Sequence, residues 1–166
     1  MNETYGRFPR RYREGIFSAI SAGFFFLFVG AIFVKTPDLF QHTLDFLSSF
    51  GLEKVPNTGI YFIAPEQPLA QAHQVVYQAA EQFSYAIGFL QIVILALRFF
   101  AGSPWNKKAE TVSNLVFWIG AGYLTRMLLI EHTIWFVFWS AIIMLLGVSL
   151  IVRAIILGAV STMRTA

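Results

Sequence analysis

The chain has 166 residues, no cysteine and a net charge of +3; 57% of its residues are hydrophobic, 13% are charged, and the mean hydropathy is +0.63. A soluble domain cannot hide that much apolar surface in one core, so lipid is the expected solvent. The absent cysteines exclude disulfides, thiolate metal sites, iron–sulfur clusters and cysteine nucleophiles. The basic excess sits beside apolar blocks, where membrane topology accounts for it, and no nucleic-acid partner is expected.

In chain order, residues 1–14 form a basic arm holding Arg7, Arg10, Arg11 and Arg13 among Phe8, Pro9 and Tyr12. Such an arm suits contact with anionic lipid headgroups, at about 1 kcal/mol per basic residue, although topology alone asks for something similar. The apolar run at 15–34 is longer than a signal-peptide core and lacks a small-residue cleavage site, so it reads as a retained span. Three further runs, 83–100, 112–130 and 134–152, also approach the roughly 20 helical residues needed to cross about 30 Å of hydrocarbon. The expected fold is an all-α integral membrane protein, a four-helix bundle forming a single membrane domain.

The loop at 35–82 is the one sizeable region outside the spans. Thr36 can cap a helix with Pro37 at its first position, and Phe40, Leu44, Leu47 and Phe50 then recur at helical spacing until Gly51. This predicts an amphipathic helix over 37–50, too short to span, lying on the membrane or over the mouth of the bundle. Pro56, Asn57 and Gly59 mark a turn, and the apolar run at 60–64 is too short to promise a real sheet. Helical character resumes near Pro68 and is expected to continue into the second span, so its first turns project beyond the bilayer. The connection at 101–110 offers Gly102 as a helix stop and Ser103-Pro104 as the next start, and the connection at 131–133 demands a tight hairpin of the last two spans.

Orientation follows from the basic residues. The arm, the Arg98, Lys107 and Lys108 group and the tail with Arg153 and Arg164 are expected in the cytoplasm, with both termini. The acidic first loop, carrying Asp38, Asp45, Glu53 and Glu66, is expected outside.

Candidate sites are few. On the second span Gln74, Gln78, Glu81, Tyr85 and Gly88 share one helical face, with Tyr77, Ser84 and Gln91 beside it. Polar groups avoid lipid, so this face is either an interhelical seam or the lining of a cavity. Arg126 lies within the third span near its outer end, where it can snorkel, pair with Glu81 or Glu131, or anchor an anion or headgroup with Tyr85, Gln78 and Tyr123. His42, His73 and His132 read as surface residues; a metal site built on His73 and His132 is the alternative, disfavoured by their unequal heights. No cofactor is indicated, and no histidine within a span offers a haem ligand. Ser18, Ala19, Ala22 and Gly23 in the first span, and Gly120 and Gly122 in the third, permit close helix approach within or between chains.

No phosphate loop, nucleophile elbow or H-E-x-x-H pattern occurs. Three readings follow. The first is a noncatalytic structural or accessory subunit of a larger membrane assembly, partnered by lipids and by other subunits or copies of itself. The second is a small transporter, channel or lipid-binding protein with an outward polar cavity; the third is a metal-dependent enzyme at the outer face.

Overall fold

The computed structural model describes residues 10–66 and 72–165, and side chains over 15–66 and 72–163. Among the described residues four helices are long and apolar enough to cross a membrane. They lie in α1 (Arg10–Lys35), α3 (Gln74–Phe100), α4 (Trp105–Leu124) and α5 (Trp135–Thr165), while a shorter helix α2 (Leu39–Ser48) and the strands β1 (Phe50–Lys54) and β2 (Tyr61–Pro65) lie between α1 and α3. α4 runs on without a break into a π-helical segment, Thr125–Glu131.

The long helices pack in a row. α1 lies against α3, α3 against α4 and α4 against α5, and among the described residues no comparable packing joins α1 to α5. α3 and α4 therefore hold the centre, and α1 and α5 each keep much of their surface open. The core forms where Ile87, Leu90 and Ile94 of α3 meet Phe28, Phe83 and Trp118. Edge-on rings carry this contact across the row, Phe25 on Phe83 at 5.6 Å and Phe83 on Trp118 at 5.9 Å, a geometry that aromatic quadrupoles favour.

Small residues set the helix spacing. A Cβ on Gly88 would stand 2.5 Å from Ile119 Cδ1, and one on Gly120 would stand 2.5 Å from Leu145 Cδ1. Between α4 and α5, the buried Ser113 hydroxyl donates to the Ser149 carbonyl at 2.7 Å. Interhelical hydrogen bonds of this kind contribute on average about 0.6 kcal/mol in membrane proteins. Ser113→Ala is expected to lower stability by about that amount in a denaturant titration of the reconstituted protein.

The turn between α3 and α4 follows from its residues. Gly102 takes a left-handed φ of +63°, Ser103 N–H donates to Arg98 O at 3.0 Å and Gly102 N–H to Phe99 O at 3.2 Å, closing the helix with a Schellman motif. α4 begins at once after Pro104. Basic side chains knit this end together: Arg98 donates to Lys107 O and Thr111 Oγ1, Lys108 Nζ lies over the Phe99 and Trp105 rings at 4.3 and 4.7 Å, and Arg153 donates to Asn106 Oδ1 at 3.3 Å.

Several boundaries differ from expectation. α2 begins at Leu39, preceded by Asp38 in the left-handed region at φ 55°, so Thr36 and Pro37 form the turn out of α1 and make no cap. Phe50 is not in α2; it opens β1. A sheet does form: β1 and β2 pair antiparallel, with Leu52 opposite Ile63 and Lys54 opposite Tyr61, because the Val55–Ile60 turn closes with Val55 N–H on Ile60 O at 2.9 Å. The second-span helix is observed from Gln74, and the expected start near Pro68 lies outside the described residues. α5 extends well past Val152, since nothing but Gly158 interrupts helix formers in that stretch.

Candidate functional site

Two clusters occupy the end of the row that carries α2 and the hairpin, here termed the loop end. The first is built on α3 and the π-helical segment. Along α3, Gln74 and Gln78 are exposed, Tyr85 is half-buried and Gly88 is buried, so the polar face is open at the loop end and packed deeper down. Between these lies Glu81, whose side chain is 15% exposed, with Oε1 3.8 Å from Nη1 of Arg126. Arg126 Nε in turn donates to Glu131 Oε1 at 3.4 Å, and its side chain remains 62% exposed.

The backbone explains that second pair. Residues five apart fall on well-separated faces of an α-helix, whereas the i→i+5 repeat of a π-helix places them on adjacent turns. Thr125–Glu131 takes that repeat, and Arg126 and Glu131 consequently meet. Beneath them, Gly122 admits the Tyr85 ring: a Cβ there would lie 2.9 Å from Cε1 and 3.0 Å from Cδ1. Tyr85 is within electrostatic reach of Glu81, Arg126 and Tyr123, so the structure gathers these expected residues around one another. Two carboxylates against one guanidinium leave the group with an excess negative charge. This arrangement offers a better partner to a cationic group than to the anion considered from sequence.

The second cluster is aromatic, and its centre went unread in the sequence. Phe46 of α2 meets Phe50 at 5.0 Å, His73 at 5.2 Å, Tyr77 at 5.8 Å and Trp135 at 6.1 Å, all edge-on. Phe50 also meets Trp135 at 5.6 Å. α2 thus presents two apolar stripes. Phe40, Leu44 and Leu47, the stripe read from sequence, face away from the protein and are exposed. The side with buried Leu39 and half-buried Phe46 is the one held against the protein. Leu39, Thr43 and Phe46 recur at the same helical spacing, which is the signal that could have found it.

The histidines divide. His132 is exposed and His42 half-buried, whereas His73, expected at the surface, is only 7% exposed. The correction follows from Phe46, whose ring lies against that of His73. Among the described residues no group of three or more histidines and carboxylates could hold a metal ion, so the pairing of His73 with His132 gains no further ligand. The side chains of Arg7, Arg10, Arg11 and Arg13 lie outside the described residues.

Burial lowers the pKa of His73 below its usual 6.5; the Asp45 carboxylate partly offsets this and His42 adds to it. Between the folded value and 6.5 the unfolded chain binds more protons than the folded one. Stability is therefore lost as pH falls through 6.5 and levels off below the folded value. The protection factors of α2 amides, corrected for intrinsic exchange, are expected to fall as pH drops through that window in the native protein and to lose the response in His73→Phe. An unchanged response in the variant would assign the effect to another group.

No protein-family model, curated protein or solved structure matches the chain.

Proposed function

We propose that this chain is a noncatalytic multi-pass membrane protein, a structural or accessory subunit of a larger membrane assembly. In this reading its helices cross the bilayer with both termini in the cytoplasm and the loop end outside. The observation that carries it is the contrast between filled and unfilled helix notches. At the centre of the row Gly88, Gly120 and Gly122 each receive a side chain, while at Gly23 and Gly30 of α1 and Gly147 and Gly158 of α5 a Cβ would meet nothing within 4 Å among the described residues. Helices associate in lipid by close packing at small residues, and lipid chains fill such notches less well than a facing helix does. Ser18, Ala19 and Ala22 extend the α1 notch and are exposed as well. Two flanks built for helix contact, on a row that does not close on itself, suit a chain set between other spans.

The orientation rests on the basic side chains at the α3–α4 turn and beside Arg153, against Asp38, Asp45, Glu53 and Glu66 at the loop end.

A second reading, a small lipid-binding or transport protein, draws on the Glu81, Arg126 and Glu131 group. Its exposed guanidinium and neighbouring tyrosine suit a zwitterionic headgroup. Native mass spectrometry of the protein gently extracted from its own membrane separates the two. A defined hetero-complex supports the subunit. A lone chain or homo-oligomer holding a retained lipid or small molecule overturns it in favour of the second reading and makes Glu81, Tyr85 and Arg126 the first residues to substitute.

A further inference from the structure

Helix α2 is held against the rest of the molecule by buried Leu39 and by the ring of Phe46. Phe46 is ringed by Phe50 from the hairpin, His73 and Tyr77 from the start of α3, and Trp135 from the start of α5. Two of these neighbours carry buried polar atoms, His73 Nε2 and Trp135 Nε1, that have no hydrogen-bond partner among the described residues. Buried polar groups are nearly always paired, and each exception calls for an explanation. Here both exceptions belong to rings that touch the same hydrocarbon side chain.

That pattern is what remains when a polar occupant of a site is replaced by an apolar one. The walls are flat and aromatic, which suits a ring. Trp135 Nε1 can only donate, so the occupant needs an acceptor oxygen; neutral His73 donates or accepts at Nε2 according to tautomer, so a carbonyl or a hydroxyl satisfies it. The depth is set by the helices. α3 and α5, of 27 and 31 residues, measure about 40 and 46 Å at 1.5 Å per residue, more than the hydrocarbon thickness of about 30 Å. Trp135 opens α5 at its loop end, and a tryptophan at the start of an apolar helix prefers headgroup depth. An occupant reaching that depth from the bilayer is lipid-soluble.

We propose that His73, Tyr77 and Trp135 form a binding site for a membrane-partitioned ligand of the quinone class, and that Phe46 is a tethered plug occupying it. Trp135 donates to one ring oxygen, His73 bonds another and Tyr77 lines the wall. Binding alone is assigned; no electron transfer is required. α2 is jointed at both ends, to α1 by the turn through Pro37 and Asp38 and to β1 at Ser49, whose carbonyl accepts from Glu66 N–H at 2.9 Å. Its other stripe, Phe40, Leu44 and Leu47, is free of the protein, so the plug withdraws by a swing of this short helix between the two joints. In this respect the closed structure is a self-inhibited state, and ligand affinity is reduced by the fraction of molecules in which the plug is in place.

The test uses the full-length protein in lipid nanodiscs, with Trp105, Trp118 and Trp139 changed to Phe so that Trp135 alone reports, and decylubiquinone as the probe. Saturable quenching of Trp135 is expected. Phe46→Ala is expected to tighten binding at least tenfold, against the usual direction for removal of a packed ring, and His73→Phe in that background to weaken it at least tenfold. Phe46→Leu, which keeps an apolar anchor for α2, is expected to fall between the native protein and Phe46→Ala, so a collapse of α2 in the alanine variant does not decide the matter. Absence of saturable quenching in all three Phe46 forms overturns the proposal. So does equal quenching by the probe and by a brominated decylbenzene that lacks ring oxygens, which would report partition into lipid only.

Discussion

Gly122→Ala will destabilise the protein, while Gly23→Ala will leave its stability unchanged or raise it. Both substitutions remove a helical glycine, which by propensity alone favours alanine by up to about 1 kcal/mol. What differs is the space. At Gly23 none of the described residues lies within 4 Å of the new methyl, whereas at Gly122 it would stand 2.9, 3.0 and 3.1 Å from Cε1, Cδ1 and Cζ of Tyr85. A leucine tip can swing aside, but a tyrosine ring moves as one plate, and this ring is fixed between α3 and α4. Overpacking of this kind costs about 1–3 kcal/mol, more than the propensity gain. Melting of the solubilised protein should therefore fall for one variant and not for the other. The pairing is checked by Tyr85→Ala: the double variant is expected to be less destabilised than the sum of the singles by at least about 0.5 kcal/mol. Equal behaviour of the two glycine variants would contradict the packing of α3 on α4.

The second large effect is all-or-none. The native chain has no cysteine, so single cysteines report membrane sidedness without background. Lys54, at the end of β1, and Asn106, at the start of α4, are both exposed. Lys54→Cys is expected to react with an impermeant maleimide applied to the outside of intact cells, and Asn106→Cys only after permeabilisation. Labelling of both from one side would break the four-span topology, and reversal would invert the orientation argued from the basic residues.

The sequence exposes the spans because lipid imposes a length and a composition that no other environment demands; apolar runs of nearly 20 residues were legible as such at 15–34, 83–100, 112–130 and 134–152. It also exposes the α3–α4 turn, since Gly102 takes the left-handed conformation that ends a helix at little cost and Pro104 cannot continue one. What it hides depends on contacts between distant segments. The hairpin was illegible because Tyr61, Phe62 and Ile63 are apolar without alternation, and pairing with Phe50–Lys54 decides their conformation. The end of α5 is hidden because the apolar run at 134–152 bounds a span and not a helix; the helix continues to Thr165 and carries Arg153 toward Asn106. For the candidate site, Glu81, Tyr85 and Arg126 were legible from spacing and from the cost of polar groups in lipid. Phe46 was not, because α2 offers two apolar stripes and the more prominent one is not the one that packs.

The π-helical segment has a further consequence for chain length. A π-turn accommodates more residues per turn than the α-helix it continues. Shortening Thr125–Glu131 by one residue would let the α repeat run through to the connection, with better hydrogen-bond geometry and a straighter helix. It would leave Glu131 four residues from Arg126, an α-helical spacing that keeps the two on one face, and would shift the start of α5, with Trp135, around the helix axis. The surplus residue thus sets the angle at which the last helix begins, and a single deletion there acts on α5 more than on the charged pair.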